Sequence, residues 1–346
     1  MWNEIHSALE KRQELSSPQI RWAMNQILTG IAPAEDVASF LLGLKAKGET
    51  VEEISALVDE MYTHANLIDV KERAVDPVGT GGDGFDTINI STAAAIVTTA
   101  AGARVVKHGN RAATSKSGAA DVLEALGVNI NLGPEDVAKC VHKIGIGFAF
   151  APKFHPAMRF AAPIRKSLGV PTIFNILGPL ANPARISVVS IGVAREEVLE
   201  KIAKVLAQRG CEGFVFRGSE GLDEISISGK STILAINKGL ITREEFDPRE
   251  IGIESFDISE LRGGDAAENA REIREIFAGK TGAKREAILL NAAASIAGFR
   301  GDFDLGIMQQ IANGYVWAKS ALDSGKALQL LDRWADLSTE LAKSSL

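Results

Sequence analysis

From about Arg73 onward, short apolar runs alternate with stretches of helical periodicity, and this alternation limits the fold more than anything else in the chain. Strand–helix–strand repetition is the unit of a parallel sheet, because the connection must travel back along the sheet before the next strand starts. The strand candidates are the residues before Gly79, Arg104-Val105-Val106, Gly147 to Phe150, Ile186 to Ile191 and Gly213 to Phe216. Between them helices are predicted from about Thr92 to Ala101, from Ala119 to Leu126 with Gly127 as the stop, from Pro134 onward, and over Glu196 to Gln208. After Asp223-Glu224 the pattern turns hairpin-like, with Ile225 to Ile227 and Ser231 to Ile236 flanking Gly229-Lys230. It is helical again over 266–277, 285–298, 306–318 and 321–342, where Trp317 and Trp334 read as packing residues.

Residues 1–70 carry helical signals only. Ile5, Leu9 and Leu15 begin one helix, and Ser17-Pro18 opens another that runs through Leu28. Pro33 starts a third, with Val37, Phe40, Leu41 and Leu44 on one face and Gly48 as its stop. Thr50 with Glu53 is a capping box for Val51 to about Ala65. Four short helices do not readily enclose a large core, so they are expected to dock on the rest of the chain or on a second copy. Residues 155–185 interrupt the later alternation with Pro156, Pro163 and Pro171, then Gly178 to Pro183, and are expected to pack on those helices. The expected class is α/β: a small all-helical domain (1–70, joined by inserted helices at about 160–185) plus a large α/β domain (71–346). The large domain should hold a central, mostly parallel sheet flanked by helices.

The chain is long enough for two such units, with 346 residues of which 46% are hydrophobic. A net charge of −6 gives no support to broad nucleic-acid or anionic-membrane binding. Cys140 and Cys211 are far apart without ligand-like spacing, which suits a reduced, cytoplasmic setting. No basic region followed by an apolar core opens the chain, and no apolar run reaches membrane length, so neither a secretory signal nor a span is expected.

The chemistry concentrates in loops. Gly79-Thr80-Gly81-Gly82-Asp83-Gly84 holds four glycines in six positions. So few β-carbons suit a backbone that takes positive φ or comes very close to something, and bare N–H groups in series can cradle a phosphate. Ser91 or Thr92 is expected to cap the following helix and aim its positive end at the same place. Lys107-His108-Gly109-Asn110-Arg111 follows a predicted strand end, where open α/β sheets place ligands, and its two cations suit a second phosphate. Thr114, Ser115, Lys116 and Ser117 add short donors. Asp223-Glu224 is an adjacent acidic pair, and Mg²⁺ takes such carboxylates together with substrate phosphates. Asp83 stands near that metal or near a ribose hydroxyl; spacing leaves both open. Arg165 is a fork for a carboxylate. His6, His64, His108, His142 and His155 have no zinc spacing. A nucleophile elbow, a Walker loop and a full dinucleotide fingerprint are missing from the sequence, so covalent, ATP-hydrolysing and nicotinamide chemistry lose ground.

Taken together, Gly79 to Asp83, Asn89 to Thr92, Lys107 to Asp121, His155-Pro156-Ala157-Met158, Arg165 with Phe174 to Pro183, and Asp223-Glu224 closely resemble the anthranilate phosphoribosyltransferase family over essentially the whole chain. The resemblance implies transfer of the phosphoribosyl group of 5-phosphoribosyl 1-pyrophosphate to the amine of anthranilate, in tryptophan biosynthesis. It implies donor contacts from Gly79, Gly82, Asp83 and Thr87, and from Asn89, Ile90, Ser91 and Thr92. Further donor contacts are implied at Lys107, His108, Gly109, Asn110 and Arg111, and at Ala112, Ala113, Thr114 and Ser115. Ser91, Asp223 and Glu224 match magnesium positions, with two ions expected. Gly79, Asn110 and Arg165 match acceptor contacts, with His108 lining the approach. Lys107, Asn110 and Arg165 are the expected catalytic residues: Lys107 for the leaving pyrophosphate, Asn110 to orient the acceptor, Arg165 to grip its carboxylate. Homodimerisation through the helical domain is also implied. Two positions depart from the family pattern: Ala119 replaces a common serine, and Val170-Pro171 stand where an arginine-like residue is usual. Ala119 is therefore a donor-site position without its hydroxyl. The alternatives are a pyrimidine nucleoside phosphorylase of the same fold, a nucleic-acid-binding relative, for which a basic groove would be needed, and a helical structural protein, which leaves the polar loops unexplained.

Overall fold

The computed structural model describes residues 1–112 and 115–344. It opens with helices α1 (Trp2–Glu10), α2 (Ser17–Leu28), α3 (Ala34–Lys47) and α4 (Val51–Thr63). The cap of α2 is Ser16 rather than Ser17; its N–H donates to Gln19 Oε1 at 3.0 Å. Thr50 and Glu53 form the expected reciprocal cap of α4.

The alternating part follows as β1 (Val75–Gly79), α5 (Ile90–Ala100), β2 (Val105–Gly109), α6 (Ala119–Ala125), α7 (Pro134–Ile144) and β3 (Ile146–Phe150). Short helices α8 (Ala151–Phe154), α9 (Ala162–Leu168) and α10 (Phe174–Leu180) come next. The chain then returns as β4 (Val188–Gly192), α11 (Glu196–Gln208), β5 (Glu212–Gly218), β6 (Ser231–Asn237) and β7 (Leu240–Phe246). It closes with α12 (Ala266–Phe277), α13 (Ala283–Arg300), α14 (Ile307–Asp323) and α15 (Lys326–Ser344).

The sheet has seven strands in the order β3-β2-β1-β4-β5-β6-β7; the first five run parallel and the last two antiparallel. The hairpin lies one strand later than expected: Ser231–Asn237 pairs with Leu240–Phe246 across Lys238-Gly239, both at positive φ. Leu240 to Phe246 is an edge strand carrying Arg243, Glu244 and Glu245, so it lacks the apolar signature by which a strand is read from sequence. Residues 225–227 form no strand, because the backbone of Ile225 is taken by Asn291 of α13.

Strand alternation sorts the core into two layers. Val188, Phe214, Phe216, Ile233 and Ala235 face α5 and α13 to α15, whereas Val189, Ile191, Val215, Leu234 and Ile236 face α11 and the N-terminal helices. The second layer also takes in Ala161 and Ile173 to Ala181, so the proline-rich insertion and helices α1–α4 share one apolar cluster. Each fully buried Leu, Ile or Phe there contributes about 1.5–3 kcal/mol, which fixes the insertion beside the C-terminal ends of the strands. No helix among the described residues is long and apolar enough to cross a membrane.

Candidate active site

The strand order reverses at β1. From there the chain builds outward through β2 and β3, then returns to place β4 on the other side of β1. Ligands of open α/β sheets bind at such a switch point, beyond the carboxyl ends of the strands. The two strands end there on paired residues, Gly79 and Gly192. Across them passes the backbone of Asp223. A Cβ on Gly79 would lie 2.2 Å from Asp223 Oδ2, and one on Gly192 would lie 1.7 Å from the Asp223 carbonyl oxygen. These glycines are required by close approach. Gly81, Gly82 and Gly84 are required by their positive φ of 69°, 81° and 80°.

The acidic pair is held against this loop. Gly81 N–H donates to Asp223 Oδ2 at 2.6 Å, and Asp83 lies within hydrogen-bonding reach of the same carboxyl. The Glu224 carboxyl lies near the Ser91 N–H in the first turn of α5, which favours its charged form. That helix starts two residues before its expected start at Thr92. Asn89 is therefore its cap residue, and Ser91 and Thr92 lie inside the first turn. Burial, and then the proximity of Asp83, pushes the Asp223 carboxyl up to about 8; burial and Asp223 push Glu224 up as well. Crowded carboxylates with a serine hydroxyl nearby are the hard oxygen donors that Mg²⁺ takes, so these residues fit that ion. Among the described residues no three His, Cys, Asp or Glu side chains make a ready metal cage. Substrate phosphates are the usual remaining ligands in Mg²⁺ sites of this type.

Lys107 differs from its expected role as an open anion contact. Its side chain is buried, and Nζ donates to the Pro77 carbonyl at 2.6 Å and to Ser91 Oγ at 3.2 Å. Burial lowers its pKa, while Asp76, Glu224 and Asp223 oppose that shift, so the ammonium is a counter-charge beneath the carboxylates. Asp76, which no motif marks, is also buried and pushed up to about 6 by burial. It accepts from His108 N–H and from Asn182 Nδ2, at 3.2 and 2.8 Å. Asn182 donates as well to the Val106 carbonyl, fastening the end of the insertion to β2.

The second loop is closed by Asp121, whose Oδ2 accepts from Ala112 N–H and Gly118 N–H at 3.0 and 2.9 Å. Arg111 is turned into that acidic face, pairing with Asp121 and Glu124 at 2.8 and 2.5 Å, with its guanidinium over Phe150. Its expected free charge for phosphate is thus already matched by carboxylates. Asn110 is exposed, its Oδ1 accepting from Arg111 N–H. Gly109 ends β2 against the first residue of α6, Ala119. Ser115 Oγ is 3.5 Å from the Ser117 carbonyl, and Ser117 Oγ is buried with no hydrogen-bond partner among the described residues. Thr87 makes an antiparallel bridge with Arg262, and Ile90 and Thr92 are buried in the first turn of α5. Ala113 and Thr114 lie outside the described residues.

Arg165 on α9 is half-buried, lies 5.2 Å over the Phe174 ring, and pairs with no acidic side chain among the described residues. Burial lowers its pKa, which leaves an under-compensated cation suited to a carboxylate ligand. The His108 and His155 rings meet tilted, centroids 5.1 Å apart, in the buried seam between β2 and the insertion, with His108 Nδ1 donating to the Gly178 carbonyl and His155 Nε2 to that of Ala181. Burial, and then His155, depresses the His108 pKa to about 3. The fold therefore holds this ring neutral, while the unfolded chain protonates it below about 6.5, so this stability is present above that pH and lost toward pH 3. His108→Leu is expected to flatten the fall of Tm between about pH 6.5 and pH 4, a term on the order of a few kcal/mol, in thermal melts.

Comparison with known proteins decides the family. The model of the glycosyl transferase family a/b domain matches residues 71–328, and that of its helical bundle domain matches residues 3–65. An anthranilate phosphoribosyltransferase of Rhodococcus jostii (strain RHA1) is 51% identical over 343 residues, 99% of this chain and 95% of its own. The chain belongs to the anthranilate phosphoribosyltransferase family. The crystal structure of the Thermus thermophilus member superposes with a TM-score of 0.90 at 36% identity, covering 97% of this chain and 99% of that one. The Saccharomyces cerevisiae member in complex with PRPP and Mg has a TM-score of 0.89 at 30% identity, covering 98% of each chain. Relatives at this identity over the full length do not favour the pyrimidine nucleoside phosphorylase alternative. The fold of this family, a helical domain and an α/β domain with a mostly parallel sheet, is the one expected from the sequence.

Proposed function

We propose that the chain transfers the phosphoribosyl group of 5-phosphoribosyl 1-pyrophosphate to the amine of anthranilate, giving N-(5-phosphoribosyl)anthranilate and pyrophosphate in tryptophan biosynthesis. The observation that carries this reading is the Asp223–Glu224 pair, half-buried at Asp223 and buried at Glu224, laid across the switch point against the glycine loop. Breaking the C1–pyrophosphate bond develops positive charge on the ribose and negative charge on the leaving group. Mg²⁺ bound at Asp223, Glu224 and Ser91, with two ions in all, supplies the cationic charge that the leaving pyrophosphate requires. The N–H groups of residues 82–84 and the start of α5 are fixed in advance, so they stabilise that charge without reorganising. Lys107 acts from beneath, holding Ser91 Oγ and offsetting the charge of the carboxylates. The amine of anthranilate is uncharged at neutral pH and needs orientation more than a strong base, which is the role assigned to Asn110 and Arg165. Helices 1–70 with the insertion at about 160–185 form the mobile domain over residues 71–346, and its closure excludes water as a competing nucleophile. The helical domain carries the exposed apolar Ile31 and Leu42, consistent with a homodimer formed through it, in the cytoplasm.

Protein mixed with Mg²⁺, 5-phosphoribosyl 1-pyrophosphate and anthranilate should deplete anthranilate fluorescence. No turnover, together with phosphorolysis of thymidine or uridine, overturns the reading. Arg165→Ala is expected to raise the KM for anthranilate at least about tenfold with the donor KM little changed, because a charge-assisted pair is lost from the acceptor alone. Steady-state kinetics with each substrate varied checks this; the reverse pattern removes Arg165 from the acceptor site.

A further inference from the structure

The cap of α5 is tied to a segment far along the chain that contains none of the functional motifs. Ile88 N–H donates to the Leu261 carbonyl, Gly263 N–H donates to the Asp86 carbonyl, and Thr87 pairs with Arg262, so residues 261–263 lie as a short strap along the exit of the glycine loop. The fit is tight: a Cβ on Gly263 would lie 2.8 Å from the Ile88 nitrogen. Just beyond the strap stands Asn269 on α12, 1% exposed. Its Oδ1 accepts from Gly264 N–H at 2.8 Å, and its Nδ2 donates to Asn89 Oδ1 at 2.9 Å. Asn89 Nδ2 in turn donates to the Ser117 carbonyl at 3.0 Å.

Both ends of this chain of hydrogen bonds have fixed roles. Gly264 offers an N–H, which only donates, and Ser117 offers a carbonyl, which only accepts. Between them each amide has one consistent orientation: oxygen toward Gly264 for Asn269, then oxygen toward Asn269 for Asn89. Nitrogen therefore faces Ser117. We infer that Asn269 is a positioning residue for donor binding: it sets the amide orientation of Asn89 and thereby locks the start of α5 to the 115–118 loop. One further hydrogen on Asn89 Nδ2 and one further lone pair on its Oδ1 stay unused in this network, and their directions are set by the same lock. The role in donor binding rests on the proposed function; the locking of the two loops does not.

Hydrogen–deuterium exchange and donor kinetics on Asn269→Ala, Asn89→Ala and the double variant test it. In Asn269→Ala, amides of residues 115–120 are expected to exchange about tenfold faster, with the donor KM raised by a similar factor and the anthranilate KM unchanged. The double variant should resemble Asn89→Ala alone, because Asn269 acts through Asn89. Asn269→Asp keeps the acceptor for Gly264 and loses the donor to Asn89, so it should behave like Asn269→Ala in exchange and donor KM, with a lower Tm from the buried charge. Unchanged exchange at 115–120 in both Asn269 variants, or additive effects in the double variant, overturns the inference. Faster, non-additive exchange in a protein that fails to use the donor at all supports the lock and overturns only the proposed activity.

Discussion

Gly79→Ala is expected to lower kcat/KM at least about a hundredfold at a fixed low Mg²⁺ concentration, in a protein that still folds. The new methyl would lie 2.2 Å from Asp223 Oδ2 and 2.9 Å from its Cγ, so the carboxylate must leave its place. In leaving, it gives up the N–H of Gly81 at 2.6 Å, which holds that oxygen now. Because the displaced group is a side chain, rotation relieves the clash and the sheet survives. Activity should therefore recover partly as Mg²⁺ is raised, and a Mg²⁺ titration of initial rates shows it. Gly192→Ala differs in kind: its methyl meets the Asp223 carbonyl at 1.7 Å, backbone that no rotamer can move. That variant is expected to lose stability first, seen as a lower Tm and poor soluble yield. Wild-type rates and an unchanged Mg²⁺ requirement in Gly79→Ala would remove Asp223 from the site.

Asp223→Asn should cost about a hundred- to a thousandfold in turnover, yet give a metal-free protein that is more stable at alkaline pH. Burial, with Asp83 beside it, raises the Asp223 carboxyl from its ordinary 3.8 to about 8 in the folded chain. Between those values the folded state binds more protons than the unfolded one, so stability declines as pH rises through that window. Asparagine carries no such charge, and the decline should flatten. Mg²⁺ favours the ionised carboxyl, so in the wild type the gain in Tm on adding it should grow from about pH 6 to about pH 8. In Asp223→Asn that gain should shrink at every pH. Thermal melts with and without Mg²⁺ across this range separate the two proteins; parallel curves would show that Asp223 neither titrates nor meets the ion.

These outcomes mark how much of the site the sequence makes legible. Gly81, Gly82 and Gly84 declare themselves locally, since positive φ in series is written in the residue type. Asp223-Glu224 and Lys107 to Arg111 are visible as loop chemistry at strand ends. Their actual roles are not visible, because charge depends on neighbours: Arg111 is already paired with Asp121 and Glu124, and Lys107 is buried under Ser91. Asp76, Asn269 and Asn291 carry no local signal at all. A buried polar side chain is recognised only by its partner, and these partners lie far along the chain.

The sequence by itself determined the helical first seventy residues, the parallel strands and most helix limits, because periodicity, caps and glycine stops act within a few residues. Its failure at Leu240–Phe246 follows from the same cause: a charged edge strand is paired on one side only and needs no apolar pattern. Only the tertiary structure decided why Gly79 is glycine, since the reason is Asp223, far along the chain. It also decided the orientation of Asn89, set from Asn269, 180 residues away. Desolvation and close packing act between neighbours in space, so they fix the charge and aim of each site residue only once the sheet has brought those neighbours together.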